Sequence, residues 1–121
     1  MVQLYLLEQA DRRTYMVDWK NIKINGVVKI ERLVDEFEVW ELNKIPYGKF
    51  KVKVFETTEG KFTGRTNLMV IDQKECFSAG IGFGTTVNEA LKDTIEYFYS
   101  LIDEVDNLTE ECFEYVDAMD F

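Results

Sequence analysis

The sequence has 121 residues, of which 46% are hydrophobic and 14% aromatic, which is enough for one domain with a buried core and excludes a disordered chain. Its net charge is −9, so it lacks the basic surface that holds the phosphates of DNA or RNA, and we expect no direct nucleic-acid binding. It has no histidine, which excludes the Ser-His-Asp triad, histidine general-base chemistry and the usual zinc sites; we therefore expect no enzyme, metal or cofactor.

Three features of the sequence predict the compartment of the protein: its first residues, its apolar runs and its cysteines. The first residues, Met1-Val2-Gln3, lack the basic start of a signal peptide. No apolar run is long enough to span a bilayer, so we expect no membrane association. Cys76 and Cys112 are far apart and form no C-x-x-C motif, which is typical of free thiols. Together these features predict a cytoplasmic protein.

Residues 1–84 are predicted to be mainly β-structure, as an antiparallel meander of roughly five to seven strands. In residues 49–57, apolar side chains alternate with three lysines, so one face is buried and the other carries a lysine ladder. Asn25-Gly26 is a strong hairpin signal and predicts that its two flanking segments pair. The other candidate strand segments, not all of which need form separate strands, are 2–7, 14–19, 20–24, 27–33, 34–42, 61–71 and 75–81.

A glycine-rich segment follows the last of these strands, with glycine at every second position from 80 to 84. Glycine adopts positive φ readily and lets another molecule approach the backbone closely, so the segment predicts a turn. Thr86 and Glu89 form a capping box, T-x-x-E, and apolar residues then recur at helical spacing. We therefore predict a helix over residues 86 to about 105.

A second cap signal occurs at Asn107-Leu108-Thr109-Glu110 and predicts another helix, which ends at about residue 119. With both helices packed on the sheet, the fold class is α+β in a single domain over residues 1–121, with residues 86–119 helical. Phe113, Tyr115 and Phe121 fall outside the apolar stripe of this helix. They predict either a contact with another subunit or a cover for the sheet edge.

The negative charge is concentrated in the second half of the chain. Residues 61–121 contain four basic and thirteen acidic residues, whereas residues 1–60 contain ten of each. Residues 93–121 contain no lysine or arginine. Such a surface either keeps the protein in solution or imitates nucleic acid toward a basic partner.

One group of residues predicts a nucleotide site. Arg65 can bind a phosphate with two hydrogen bonds, and Phe83, between two glycines, can stack on a base. The first amides of the helix could hold an anion, Asn88 could contact a base edge or ribose, and Lys92 is basic. In the alternative interpretation, Phe83 fills the core and Arg65 pairs with a surface carboxylate. The predicted ligand-binding residues are Arg65, Gly82, Phe83, Gly84, Thr85, Thr86, Asn88 and Lys92.

Residues 62–70, F-T-G-R-T-N-L-M-V, and 80–91, G-I-G-F-G-T-T-V-N-E-A-L, resemble the phage Thoeris anti-defence sponge family, over about residues 60–102. The resemblance implies a homo-oligomer in the host cytoplasm that sequesters cyclic ADP-ribose-like or cyclic oligonucleotide immune signals without degrading them. It also implies that Arg65 holds phosphate, that Phe83 stacks on adenine and that Asn88 completes the site.

A second resemblance rests on residues 84–91, G-T-T-V-N-E-A-L, which follow a strand meander and open a helix. This pattern is similar to the HicB-like antitoxin fold, in which such a module neutralises a small basic RNA-cleaving toxin. No DNA-binding helix-turn-helix follows, which argues against an autorepressing antitoxin. The alternative function is therefore an acidic inhibitor, of antitoxin, immunity or anti-CRISPR type, that blocks a basic nucleic-acid-binding protein through residues 93–120.

Overall fold

The computed structural model describes residues 19–121 and has an α+β fold, a five-stranded antiparallel sheet with one helix packed on it. Four strands lie in the order β1-β2-β3-β4, and β5 pairs with β3. The elements are β1 Arg32–Trp40, β2 Lys49–Glu56, β3 Phe62–Ile71, β4 Phe77–Gly84, α1 Val87–Asp103 and β5 Phe113–Tyr115, with single 3-10 turns at Trp19–Asn21 and Glu110–Cys112. The predicted strand at 2–7 and nearly all of that at 14–19 lie outside the described residues.

Side-chain alternation gives the sheet two different faces. On β2, Phe50, Val52 and Val54 are buried on the face that α1 covers, which we call the helix face, and the intervening lysines lie on the opposite, open face, as predicted. Phe50 packs edge-to-face on Phe98 of α1, with ring centroids 5.2 Å apart. The buried core consists of Ile45, Phe50, Val52, Val54, Leu68, Val70, Ala90, Phe98, Ile102 and Phe113.

The glycine-rich segment is part of β4, so the predicted turn at residues 80–84 is wrong. None of its three glycines has a positive φ, and because they alternate along a strand they all point at α1. A Cβ at Gly82 would overlap the backbone nitrogen of Thr94, and one at Gly84 would lie 2.6 Å from the nitrogen of Ala90. The molecule that approaches these glycines closely is the protein's own helix.

The first helix begins where the sequence predicts. Thr86 is the N-cap of α1, and its hydroxyl accepts a hydrogen bond from the Glu89 amide at 3.1 Å. The apolar stripe of α1 lies across β3 and β4, with Ala90, Phe98 and Ile102 buried. The helix ends at Asp103, two residues before the predicted boundary.

The second predicted helix is wrong, because residues 110–115 form one 3-10 turn and then β5. The pairing of β2 with β3 ends at Val52 and Thr66, and β5 pairs with the remainder of that edge, from Leu68 to Val70. This pairing also buries Phe113, which is 6% exposed. The hydrogen bonds to β3 and the burial of an aromatic ring outweigh a local cap signal.

The predicted hairpin around Asn25-Gly26 is also wrong, although the turn itself forms. Gly26 has φ of +89°, and the Val27 amide donates to the Ile24 carbonyl at 3.0 Å. The flanking residues 22–24 and 27–31 are not strands, and Val28 is 98% exposed. A two-stranded hairpin needs a surface on which to pack, and among the described residues Ile24 and Val28 remain 61% and 98% exposed. The strands predicted at 34–42, 49–57 and 61–71 are confirmed as β1, β2 and β3.

Candidate ligand-binding site on the open face of the sheet

A pocket of about 740 Å³ lies on the open face, over β3 and the end of β4. We call it the open-face pocket. The segment before β1 and the loop between β2 and β3 form its rim. It is lined by residues 29–31, 57–59, 61–63, 65, 81 and 83–85.

Arg65 forms the floor of the open-face pocket. Its guanidinium carbon lies 4.1 Å from the centroid of the Phe55 ring, a cation–π geometry, and its Nη2 donates to Glu31 Oε1 at 2.6 Å. Lys29 Nζ lies 3.8 Å from the other oxygen of the same carboxylate. Among the described residues, Arg65 Nε is buried and has no hydrogen-bond partner. A buried donor without a partner carries an energetic cost.

Phe83 and Ile81 form the apolar side of the same pocket, and they are 66% and 43% exposed. Arg65 pairs with Ile81 in the β3–β4 ladder, so Phe83 is its diagonal neighbour on the same face. The Phe83 amide donates to Asp93 Oδ2 at 2.8 Å, which ties the end of β4 to α1. The backbone of Phe83 is therefore anchored to α1, while its ring stays open to solvent.

The charges around the open-face pocket differ from those of the whole chain. Lys29, Lys61 and Arg65 line it together with Glu31 and Glu59, so cations outnumber carboxylates locally although the chain carries −9. A smaller pocket of about 310 Å³ between the ends of β3 and α1 has only carboxylates as charged lining groups, namely Asp72, Glu104 and Asp106. An anionic ligand is favoured by the first pocket and repelled by the second.

The start of α1 already holds an anion of its own. Glu89 Oε2 accepts hydrogen bonds from the Thr85 hydroxyl at 2.7 Å and from the Thr85 amide at 2.9 Å. These two bonds lower the pKa of Glu89 from its usual value, the hydroxyl bond having the larger effect. A phosphate at this helix start, as the sequence predicts, would have to displace that carboxylate.

The structure brings together only some of the predicted ligand-binding residues. Arg65, Phe83, Gly84 and Thr85 line the open-face pocket. Gly82 is buried beneath α1, and Thr86 caps it. Asn88 and Lys92 are exposed on α1 and do not line the pocket; Lys92 Nζ lies 3.6 Å from Glu96 Oε1.

Sequence reasoning missed Phe55, Glu31 and Lys61. Phe55 follows Lys49, Lys51 and Lys53 at the same spacing of two residues. An aromatic residue that continues a row of lysines is a sequence signal for a possible binding surface on the open face. No local pattern marks Glu31 or Lys61, because they reach the pocket only through the loops that flank the sheet.

The described residues were also compared with the requirements of a metal site and of a membrane-spanning helix. Residues 19–121 contain no group of three histidine, cysteine or acidic residues that could hold a metal ion. No helix among them is long and apolar enough to cross a membrane. Comparison with protein families, curated proteins and solved structures gives no match to this chain.

Proposed function

We propose that this protein is a non-catalytic binding protein that sequesters a nucleotide signal, of cyclic ADP-ribose-like or cyclic oligonucleotide type, in the open-face pocket. The observation that carries the proposal is that Arg65 and Phe83 line one pocket as diagonal neighbours on β3 and β4. A nucleotide presents a flat base and an anionic phosphate at a short separation, and these two side chains match that pair of groups.

The base is assigned to Phe83. Its ring is 66% exposed, and the adjacent Ile81 offers apolar surface at the edge of a bound base. Stacking of a base on an aromatic ring contributes about 1–3 kcal/mol and requires no particular base. The volume of about 740 Å³ falls within the range of small-molecule sites.

The phosphate is assigned to Arg65 and the two lysines of the rim. One guanidinium nitrogen of Arg65 bonds Glu31, and the Arg65 side chain is still 31% exposed, which leaves part of the guanidinium open to a phosphate oxygen. Lys29 and Lys61 add positive charge at the entrance. Glu31 is already ion-paired with Arg65 and Lys29, so its carboxylate is engaged in holding these two cations at the pocket.

The test is thermal unfolding of the protein with a panel of cyclic ADP-ribose isomers and cyclic oligonucleotides, followed by calorimetric titration of any ligand that raises the midpoint. A ligand at 100 times its Kd stabilises the fold by about 2.7 kcal/mol. We expect Phe83→Ala to weaken binding by about 1–3 kcal/mol, which is roughly 5- to 150-fold in Kd. Arg65→Lys keeps the charge but loses the planar fork, and we expect it to weaken binding as well.

The matched control is Trp40→Ala. Trp40 is an aromatic residue on the open face of β1, 68% exposed, and it does not line the pocket. Its loss should leave Kd unchanged. A panel in which no nucleotide raises the midpoint, or equal losses in the Phe83 and Trp40 variants, would contradict the proposal.

A second function is favoured by the carboxylates near the C-terminus. Seven of them are exposed and form no ion pair among the described residues: Glu104, Asp106, Glu110, Glu111, Glu114, Asp117 and Asp120. Such a surface could block a basic nucleic-acid-binding protein by occupying its phosphate sites. The test is displacement of fluorescent duplex DNA from such a protein, and replacing Glu104, Glu110 and Glu111 by Gln should reduce it. Displacement that the triple variant retains would argue against this function.

A further inference from the structure

The open face of the sheet carries three kinds of side chain at successive levels. Arg65 pairs with Ile81 in the β3–β4 ladder, and Phe83 lies two residues beyond Ile81 on the same face. In the other direction, Met69, whose neighbours in β3 are buried on the helix face, pairs with Glu114 of β5 and so places Glu114 on the open face. An aromatic ring, a guanidinium group and a carboxylate therefore follow one another along this face.

A second cavity, of about 530 Å³, lies beside Arg65 on the open face. We call it the acidic cavity, because its lining contains three exposed carboxylates, namely Glu114, Asp117 and Asp120. Arg65 and Ile81 line both this cavity and the open-face pocket, so the two share a wall. A ligand whose middle lies at Arg65 can therefore extend into both cavities.

The two cavities differ in the charge of their lining. In the open-face pocket cations outnumber carboxylates, whereas the acidic cavity has three carboxylates and one cation, the shared Arg65. Lys53 is close by, since its Nζ donates to the main-chain oxygen of Phe121 at 3.1 Å, but Phe121 lines the acidic cavity and Lys53 does not. The open-face pocket therefore favours an anionic group, and the acidic cavity favours a cationic one.

The walls of the acidic cavity select the kind of cation. Met69, Ala79 and Ile81 add apolar surface to its carboxylates. A compact ammonium group is strongly hydrated and gains little from such surface. A flat ring with a delocalised positive charge can rest on the apolar wall and still have carboxylates beside it.

We infer that the ligand of the open face is a pyridinium dinucleotide, in which a base and a positively charged ring lie at the two ends of a pyrophosphate. The inference rests on the proposed function and narrows its ligand class. The base stacks on Phe83, the pyrophosphate lies at Arg65, and the cationic ring enters the acidic cavity beside Glu114. Each part of the ligand then meets a group of complementary charge or shape.

The distance along the sheet suits such a ligand. Phe83 and Ala79 are four residues apart on β4, which corresponds to roughly 13 Å at about 3.3 Å per residue. Rings at these two levels leave room between them for the two riboses and the pyrophosphate of an extended dinucleotide. A cyclic nucleotide with a single base is more compact and leaves the acidic cavity empty.

The first test compares NAD⁺, NADH and ADP-ribose by calorimetric titration of the full chain. NADH has almost the size of NAD⁺ but a neutral ring, and ADP-ribose lacks this ring. We expect NAD⁺ to bind about 3- to 30-fold more tightly than NADH, which is the effect of one or two exposed ion pairs. Equal affinities for NAD⁺ and NADH would overturn the inference.

Glu114→Gln keeps the size of the side chain and removes its charge. It should reduce the preference for NAD⁺ over NADH at least twofold and should not weaken the binding of ADP-ribose. The matched control is Glu111→Gln, which changes the net charge equally, because Glu111 is exposed and lines neither cavity. Equal effects of the two substitutions would mean that the net charge of the protein, and not the acidic cavity, sets the preference.

The second test examines the acidic cavity without a nucleotide. The probe is the 1-methylnicotinamide cation, its neutral control is nicotinamide, and the readout is the NMR signal of the methionine methyl groups. We expect the cation to shift the signal of Met69, which lines the cavity, and to leave that of Met119, which is 92% exposed and lies outside it. Glu114→Gln should reduce the shift, and nicotinamide should cause less of it.

The outcomes separate this inference from the proposed function. A Met69 shift specific to the cation, in a protein that binds no nucleotide, supports the acidic cavity and contradicts the proposed function. Binding of ADP-ribose that Phe83→Ala weakens, with equal affinities for NAD⁺ and NADH, supports the proposed function and overturns the inference. A protein that binds none of the nucleotides and shows no shift at Met69 overturns both.

Discussion

Glu56 shows how single residues determine the response of the fold to pH. Its side chain is nearly buried, and its carboxylate lies 2.6 Å from Lys20 Nζ and 2.7 Å from Arg32 Nη2. The hydrogen bond from Lys20 is the main cause that lowers the pKa of Glu56 below 4.5, and Arg32 lowers it further against the opposing effect of burial. A carboxylate whose pKa is lower in the folded state stabilises the fold above its unfolded pKa.

This stabilisation is lost as the pH falls below about 4.5 and through the lower pKa of the folded state. We therefore expect Glu56→Gln to be less stable than the parent at pH 7 and to approach it at about pH 3, measured by urea unfolding at a series of pH values. Glu59→Gln, at an exposed position nearby, is the control and should show no such convergence. A constant difference for Glu56→Gln across the range would contradict the assignment.

Gly64 and Gly82 contact the same residue of α1 but with different consequences. A Cβ at Gly64 would overlap the side-chain hydroxyl of Thr94, whereas a Cβ at Gly82 would overlap the backbone nitrogen of Thr94 as well as that hydroxyl. We expect each alanine variant to lose about 1–3 kcal/mol or more in the free energy of unfolding. Adding Thr94→Ala should recover more of the loss for Gly64→Ala than for Gly82→Ala, because the overlap of Gly82→Ala with the backbone of Thr94 remains. Equal recovery in both double variants would show that α1 shifts as a whole.

At the scale of elements, β5 is the segment whose role differs most from its prediction. Phe113 is 6% exposed in the core, while Tyr115 is 49% exposed and stacks on Tyr47 with centroids 5.1 Å apart. We expect Phe113→Ala to cost about 3–5 kcal/mol by urea unfolding, because it leaves a cavity beneath the sheet. Tyr115→Ala should cost clearly less. Similar small losses for both variants would mean that β5 is only loosely attached.

The elements also show which parts of the fold a sequence reveals. The alternation in β2 and the N-cap at Thr86 are local signals, and the structure confirms both. The cap signal at Thr109 is equally local, but residues 113–115 pair with a part of β3 that β2 leaves unpaired, and only the tertiary structure creates that opportunity. The glycines of β4 show the same limit: their spacing of two residues fits a strand, but the packing of α1 against them is a tertiary contact that no local pattern encodes.

In the candidate site, too, local sequence signals are informative and contacts between distant residues are not encoded locally. Arg65 and Phe83 could be predicted to lie together because they belong to neighbouring strands, and the ladder places them diagonally on one face. Asn88 and Lys92 lie close to Phe83 in sequence, but the step from β4 to α1 leaves them outside the pocket that Arg65 and Phe83 line. Glu31 pairs with Arg65 across 34 positions of the chain, and no short pattern encodes such a pair.

At the scale of the whole molecule, several of the excess carboxylates lie at the C-terminal end of α1. The last turn of α1 has no basic residue, and Glu104, Asp106 and Asp103 lie at its negative end, where only Asp103 is paired among the described residues, with Lys44 Nζ at 2.8 Å. Negative side chains near a helix C-terminus oppose the helix dipole. The molecule therefore carries an electrostatic cost at this end that a single substitution can reduce.

We expect Glu104→Lys to raise the free energy of unfolding by about 0.3–1 kcal/mol at low ionic strength, because it removes a repelled carboxylate and places a cation at the favourable end of α1. Glu104→Gln should give a smaller gain. Both gains should shrink in 1 M NaCl, where charges are screened beyond about 3 Å. The measurement is urea unfolding of the three proteins at two salt concentrations. A gain that persists unchanged at high salt would mean that Glu104 acts through packing, and loss of stability in Glu104→Lys would mean that this carboxylate forms a contact that helps the fold.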